Sequence, residues 1–189
     1  MRIAIDLDDV LADSLTTFIE FYNSNHQDKL KYEDFTSYTL NEINGTPKEE
    51  ENKLLADFDN SPYFQDTKPM LKSQEAVMEL SKKHELIIVT SRTLEKEEKT
   101  KAWLKKYFPE ITKVYFTRHN YEASQKTKAE ICEEIGADIL IEDRLKYAKQ
   151  TAEAGIKVLL FNYPWNQTKN LNSNIQRVKD WDEILTKLR

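Results

Sequence analysis

Ile3-Ala4-Ile5 is an apolar run that stops abruptly at Asp6-Leu7-Asp8-Asp9. A short apolar run bounded by polar residues reads as a buried strand, and a buried parallel strand is apolar on both faces. The acids must therefore lie at the strand's C-terminal edge, where open α/β sheets bind ligands. Side chains alternate along a strand, so Asp6 and Asp8 can point the same way while Leu7 packs behind them. Two carboxylates this close repel each other, and a metal ion or a shared proton relieves the repulsion. The competing reading is a solvated strand end with ordinary turn acids.

Downstream of residue 72 the pattern alternates between helix and strand, which indicates a parallel sheet built from βα units. Helices are expected over 74–83, 94–107, 127–135 and 145–154, and strands over 86–90, 114–116, 139–141 and 156–161. The strand at 156–161 is expected to be the last, with a C-terminal helix over 178–188. Gly136 and Gly155 suit helix ends. Between the first strand and this repeat lie residues 15–71. Leu15, Phe18, Ile19 and Tyr22 recur at helical spacing over 15–26, with Ser14 as a candidate N-cap. Pro47 suits the first turn of another helix with Thr46 as its cap and three glutamates, Glu49–Glu51, at its positive end. The simplest architecture is an α/β core formed by 1–14 and 72–189. Residues 15–71 form a small, mostly helical cap inserted after the first strand, hanging over the edge that carries Asp6 and Asp8 as a lid.

The chain has 189 residues, enough for one core domain with a modest insertion. A hydrophobic share of 39% supports a real core. A net charge of −5 argues against a general binder of nucleic acid or membrane surfaces. The single cysteine, Cys132, excludes an internal disulfide and a cysteine-rich zinc site, and it reads as a buried thiol. With no long apolar stretch and no signal-peptide pattern, the expected location is cytoplasmic. Only three glycines are present, so there is no glycine-rich phosphate loop and no dinucleotide fingerprint. A protein of this kind that handles phosphate must do so by another route.

Polar residues of particular kinds gather at further strand ends beside Asp6 and Asp8. The second ends in Thr90-Ser91-Arg92, the fourth in Glu142-Asp143, and Lys126 and Lys128 precede the helix between them. Singly, these read as a helix cap, a turn and solvated lysines. Together they collect phosphate-type donors and acids at one sheet edge.

Asp6-Leu-Asp8-Asp-Val-Leu resembles the first motif (DxDx[TV]) of the haloacid dehalogenase (HAD) superfamily. Thr90 after Ile87-Ile-Val resembles its second motif, Lys128 the third, and Glu142-Asp143 the acidic fourth. The stretches Lys128–Cys132, Ile139–Arg144, Gly155–Phe161 and Pro164–Asn166 resemble, more narrowly, the cytosolic 5′(3′)-deoxyribonucleotidases and their bacterial relatives. The resemblance covers most of the chain and is weakest in the insertion. It implies a Rossmann-like three-layer core and a Mg²⁺-dependent phosphomonoesterase. Asp6 would be the nucleophile, forming an aspartyl-phosphate. Asp8 would protonate the leaving oxygen and then activate water. Thr90, Ser91 and Lys128 would bind phosphate, with Lys126 as the competitor for the lysine role. Mg²⁺, a hard cation that takes oxygen ligands, would be held by Asp6, the Asp8 backbone carbonyl and Asp143, with Glu142 as outer support. Arg92 and Arg144 lie near the edge, where a surface role serves equally well.

Substrate choice is expected in the insertion, whose aromatic residues suit stacking on a nucleobase. Tyr22, Phe35, Tyr38 and Phe64, with Trp165 from the loop after the fifth strand, are the candidates, against the reading that they simply form the lid's core. The expected partner is a small phosphomonoester, most simply a (deoxy)nucleoside monophosphate, without polymeric nucleic acid or membrane. A homodimer stays open. Two alternatives stand beside this reading: a phosphatase of another metabolite such as a sugar phosphate, and a phospho-aspartate signalling module. The second places its acceptor after an interior strand and lacks a lid after the first.

Overall fold

The computed structural model describes residues 1–118 and 126–189. Among them, six strands form one parallel sheet in the order β3-β2-β1-β4-β5-β6. They are β1 (Arg2–Ile5), β2 (Glu85–Thr93), β3 (Lys113–Arg118), β4 (Ile139–Glu142), β5 (Lys157–Phe161) and β6 (Ile175–Val178). The helices are α1 (Ser14–Asn25), α2 (Leu40–Asn44), α3 (Lys48–Asp59), α4 (Pro62–Asp66), α5 (Ser73–Ser81), α6 (Glu97–Tyr107), α7 (Lys128–Glu134), α8 (Leu145–Glu153) and α9 (Trp181–Leu188). The strand order reverses between β1 and β4, which is the topological switch point at which such sheets bind ligands. Register there is fixed by Ile5 lying beside Ile88 on one side and Ile141 on the other.

The alternation of side chains sorts the core into two layers. Ile3 and Ile5 face Ala76, Leu80, Leu104 and Ile184 from α5, α6 and α9. Ala4 and Leu140 face Ile131, Cys132 and Ala148 from α7 and α8. The three-layer α/β expectation is thus met. Cys132 is fully buried, as expected, and burial pushes its thiol up to about 12. Trp181, also buried, donates its Nε1–H to the Val10 carbonyl at 2.9 Å, tying the last helix to the loop after β1. α7 opens with a reciprocal cap: Thr127 Oγ1 accepts from Glu130 N, and the Glu130 carboxylate accepts from Thr127 N at 2.7 Å. That cap fixes where Lys128 starts its helix.

The segment between β1 and α5 supplies α1–α4 and a third apolar cluster of Phe18, Phe21, Phe35, Leu54, Phe58 and Phe64, joined by Trp165. Its two connections run side by side. Asp13 N donates to Lys68 O at 2.9 Å and Met70 N to Leu11 O at 2.7 Å, with an antiparallel bridge between Ala12 and Pro69.

Several expectations need correction. β5 is not the last strand: Ile175-Gln-Arg-Val178 pairs with it as β6, and the C-terminal helix begins only at Trp181. The polar pair Gln176-Arg177 sits at the sheet edge, so the strand lacks the apolar run of a buried one. β2 continues to Thr93, so Thr90 and Ser91 lie within a strand and cap no helix. Asp13, not Ser14, precedes α1, and Ser14 Oγ instead donates to Asp8 Oδ1 at 2.5 Å. Pro47, not Thr46, precedes α3, while the Thr46 hydroxyl donates to Asn44.

Candidate active site

β1 ends one residue before Asp6, whose backbone N–H still donates to Ile141 O at 2.9 Å and so extends the ladder toward β4. This brings Asp6 beside Glu142, the last residue of β4, and Asp143, which follows it. One carboxylate oxygen from each of the three lies within 4.8 Å of the others, and all three residues are buried. Lys128, at the first position of α7, lies between them. Its Nζ is 2.6 Å from Asp6 Oδ1 and 2.7 Å from Glu142 Oε2, with its side chain 1% exposed. Lys126 points away, pairing with Glu134 on the surface. The geometry favours Lys128 over Lys126 as the lysine of the cluster.

Burial raises Asp6, the Glu142 charge raises it further, and Lys128 opposes both, leaving it at about 7. Burial and the neighbouring Glu142 and Asp6 push Asp143 well above the usual carboxylate range. Burial would lower Lys128, but the charges of Asp6 and Glu142 outweigh it and raise it above an ordinary lysine. A buried acid excess of this kind is relieved by a cation. Three oxygen donors with no histidine or cysteine suit a hard divalent ion. Glu142 is already occupied: Oε2 is held by Lys128, and Oε1 accepts the backbone N–H groups of Asp143 and Arg144.

Asp8 is placed differently. Its carboxylate is gripped by Arg92, with Nε to Oδ2 at 3.0 Å and Nη2 to Oδ1 at 2.6 Å. Burial would raise the Asp8 carboxyl, but the Arg92 charge and hydrogen bonds, helped by Ser14, bring it down to about 2. Arg92 is not a surface group. It is 7% exposed, donates also to Thr100 Oγ1, and lies 4.7 Å from the centre of the Phe64 ring. The sequence leaves a site role and a surface role for Arg92 equally open, because its partner is 84 residues away. Asp9 stands between these groups with φ of +57°. Its Oδ1 accepts the Leu15 N–H at 2.8 Å, and burial with the surrounding acids raises it to about 8.

Thr90 is fully buried, and its Oγ1 accepts the Arg92 N–H at 3.2 Å. Ser91 lines a cavity of about 220 Å³ with Asp6, Asp8, Asp9, Asp143 and Tyr147. Its Oγ is buried without a hydrogen-bond partner among the described residues.

A second, more apolar cavity of about 270 Å³ adjoins the first, lined by Phe18, Phe35, Tyr38, Phe58, Phe64 and Trp165 among others. Phe35, Tyr38, Phe64 and Trp165 are therefore brought to one cavity wall. Tyr22 is not. One helical turn beyond Phe18, it stacks on His26 and donates to Asp28, lining a separate outer depression. Tyr38 reaches across to the core, its hydroxyl donating to Asp143 O and accepting from Leu145 N. Trp165 Nε1 donates to Asp143 Oδ2 at 3.0 Å. Asn166, 1% exposed, bridges the carbonyls of Asp143 and Phe161. Arg177 of β6 in turn grips Asn166. The unforeseen strand thus steadies the loop that holds Asp143.

This arrangement can be set beside known proteins. The chain is 31% identical over 188 residues to the 5′(3′)-deoxyribonucleotidase of Bacillus subtilis, covering 98% of this chain and 97% of that one. It is 27% identical over 187 residues to a nucleotidase of Clostridium acetobutylicum, covering 97% and 91%. Two solved structures share the fold: a haloacid dehalogenase-like hydrolase of Streptococcus pneumoniae and a HAD hydrolase of Bacillus subtilis described as bound to magnesium. Their TM-scores are 0.69 and 0.68, each at 14% identity, and each comparison covers all of this chain and 98% of the other. Residues 1–188 match the family described as 5′ nucleotidase, deoxy (pyrimidine), cytosolic type C protein. The chain belongs to that family of phosphomonoester hydrolases, built on the HAD fold.

Proposed function

We propose that the protein is a Mg²⁺-dependent phosphatase of (deoxy)nucleoside monophosphates that works through an aspartyl-phosphate on Asp6. The observation that carries this reading is the pairing of two adjoining cavities. One is small, holds Asp6 and Asp143, and contains a buried serine hydroxyl with no partner among the described residues. The other is aromatic and opens beside it. A phosphate fits the first in character and a nucleobase the second.

Asp6 and Asp143, with the Asp8 carbonyl, would hold the ion, and Glu142 would hold Lys128 beside them. Bound there, Mg²⁺ would supply positive charge to a phosphate that otherwise meets mostly carboxylates. Lys128, 2.6 Å from Asp6, adds a fixed positive charge next to the nucleophile. The Ser91 O–H donates to a phosphate oxygen, and Thr90 sets the strand that carries it. The Asp6 oxygen attacks phosphorus and the ester oxygen leaves with a proton from Asp8. Asp8 then takes a proton from the water that hydrolyses the acyl phosphate. As the structure stands, Arg92 holds Asp8 ionised, so the donating step requires that grip to open. Phe64 of the insertion lies on the Arg92 guanidinium, and Lys96 pairs with Asp59 of α3 at 2.5 Å. Residues 15–71 act as the lid whose position governs that release.

The test is phosphate release from a panel of deoxy- and ribonucleoside monophosphates, sugar phosphates and an aryl phosphate, with Mg²⁺ or EDTA, for wild type and Asp6→Asn. Selective, Mg²⁺-dependent turnover of nucleotides that vanishes in Asp6→Asn is the expected result. Turnover of other esters alone would remove the nucleotide assignment, and turnover surviving Asp6→Asn would remove the mechanism.

A further inference from the structure

Asp9 has no part in the phosphate chemistry above, yet it occupies the point where both cavities meet. Among the described residues, only Asp8, Asp9, Tyr38 and Asp143 line the two together. Three of these are committed. Asp8 is held by Arg92 and Ser14, Tyr38 by Asp143 O and Leu145 N, and Asp143 by Trp165 within the acid cluster. Asp9 uses Oδ1 for the Leu15 N–H, and its other carboxyl oxygen accepts no hydrogen bond among the described residues. Its backbone, at φ +57°, lies in the left-handed region that glycine enters freely and other residues enter at a cost. Retaining a side chain there calls for something the side chain does.

The inference rests on the nucleotide reading. With phosphate in the smaller cavity and base in the aromatic one, the group between them is the sugar. A sugar offers hydroxyl donors, and a carboxyl oxygen is an acceptor. We propose that Asp9 is a specificity residue whose carboxyl accepts a hydrogen bond from the sugar, the 3′-hydroxyl in a nucleoside 5′-monophosphate. The same site therefore rejects analogues that lack this hydroxyl, because the oxygen loses its partner.

The experiment compares kcat/KM for thymidine 5′-monophosphate and its 3′-deoxy analogue in wild type, Asp9→Gly and Asp9→Asn, with thermal unfolding recorded for each. Glycine suits the positive φ and removes the carboxyl. Asparagine tolerates the same φ, keeps an oxygen for Leu15 N and replaces the acceptor with an amide. Wild type is expected to prefer the hydroxyl-bearing substrate by about 10–100-fold, the cost of leaving an acceptor without its partner. The preference falls below about 3-fold in Asp9→Gly and drops in Asp9→Asn as well. A purely structural role for Asp9, as the acceptor at the start of α1, would shift the unfolding temperature and leave the preference intact. A wild type without preference, or one whose preference survives both substitutions, overturns the proposal while the nucleotide reading stands. Failure of wild type to hydrolyse either nucleotide overturns both.

Discussion

Replacing Lys128 with methionine is the sharpest perturbation of the site, because the ammonium is the shared partner of two buried carboxylates. Its side chain is 1% exposed, with those of Asp6 and Glu142 at 7% and 0%. Removing one member of a buried ion pair costs about 3–5 kcal/mol, since the remaining charge is left without compensation. Asp6, already raised to about 7, escapes part of that cost by keeping its proton. A loss of about 3 kcal/mol at pH 8 follows, or about 6–12 °C in Tm for a domain of this size. Without the ammonium, the carboxylates hold protons more tightly in the folded protein than in the unfolded chain. Stability of the variant therefore falls as pH rises from about 4 to 8, and the deficit shrinks in acid. Urea unfolding followed by tryptophan fluorescence at pH 5.5 and 8 measures this. Lys126→Met is the control: its surface pair with Glu134 predicts a change within about 0.5 kcal/mol. Equal effects of the two substitutions, or a Lys128→Met deficit that grows in acid, would refute the reasoning.

Further predictions concern the other charged groups. Arg92→Met should raise the Asp8 carboxyl from about 2 toward its ordinary range. Asp8 must carry a proton to release the ester oxygen, so the alkaline limb of the pH–rate profile then moves up, and an unmoved limb would show that Arg92 does not set Asp8. In the metal-free protein Asp6 and Asp9 are raised to about 7 and 8, so the folded state holds more protons than the unfolded one. That stability is complete below the ordinary carboxylate range and is lost as pH rises through 7 to 8. Mg²⁺ needs the deprotonated site, so it should raise Tm more at pH 8 than at pH 6, as scanning calorimetry would show. Trp165→Phe removes the indole N–H from Asp143 Oδ2 while keeping the aromatic wall, so it should weaken Mg²⁺ binding by calorimetric titration about 10-fold. Tyr22→Leu, outside the pocket, should leave KM unchanged; a large rise would place Tyr22 where the structure does not.

Much of this site is written in local patterns. Apolar triplets that stop at acids locate β1 and β4, and Thr127-x-x-Glu130 marks the helix start that delivers Lys128. What local pattern could not show depends on distant partners. Arg92 reads equally well as an edge group or a surface arginine until Asp8 and Phe64 close around it. β6 is half polar because it sits at the sheet edge, and its importance lies in Arg177 reaching Asn166. The helices α2 and α4 have five residues each, too short for a periodic signal. Tyr22 and Phe18 share one helical face, and only the direction of α1 decides that the second reaches the pocket. The left-handed backbone at Asp9 follows from the tight loop in which Leu11 N and Ala12 N both donate to Leu7 O.

The central claim is that Asp6 becomes phosphorylated during turnover. Single-turnover reactions with a nucleoside monophosphate and Mg²⁺, quenched in acid and digested, would be followed by mass spectrometry of the peptide containing Asp6. Asp8→Asn lacks the acid for the first step as well as the base for the second, so it is given an aryl phosphate, whose leaving group needs no proton, and should accumulate the intermediate. The account predicts one added phosphoryl group on Asp6, removable by hydroxylamine and absent in Asp6→Asn. Full turnover by wild type with no phosphoryl group on Asp6 in either protein at any quench time would contradict it and point to direct attack by water.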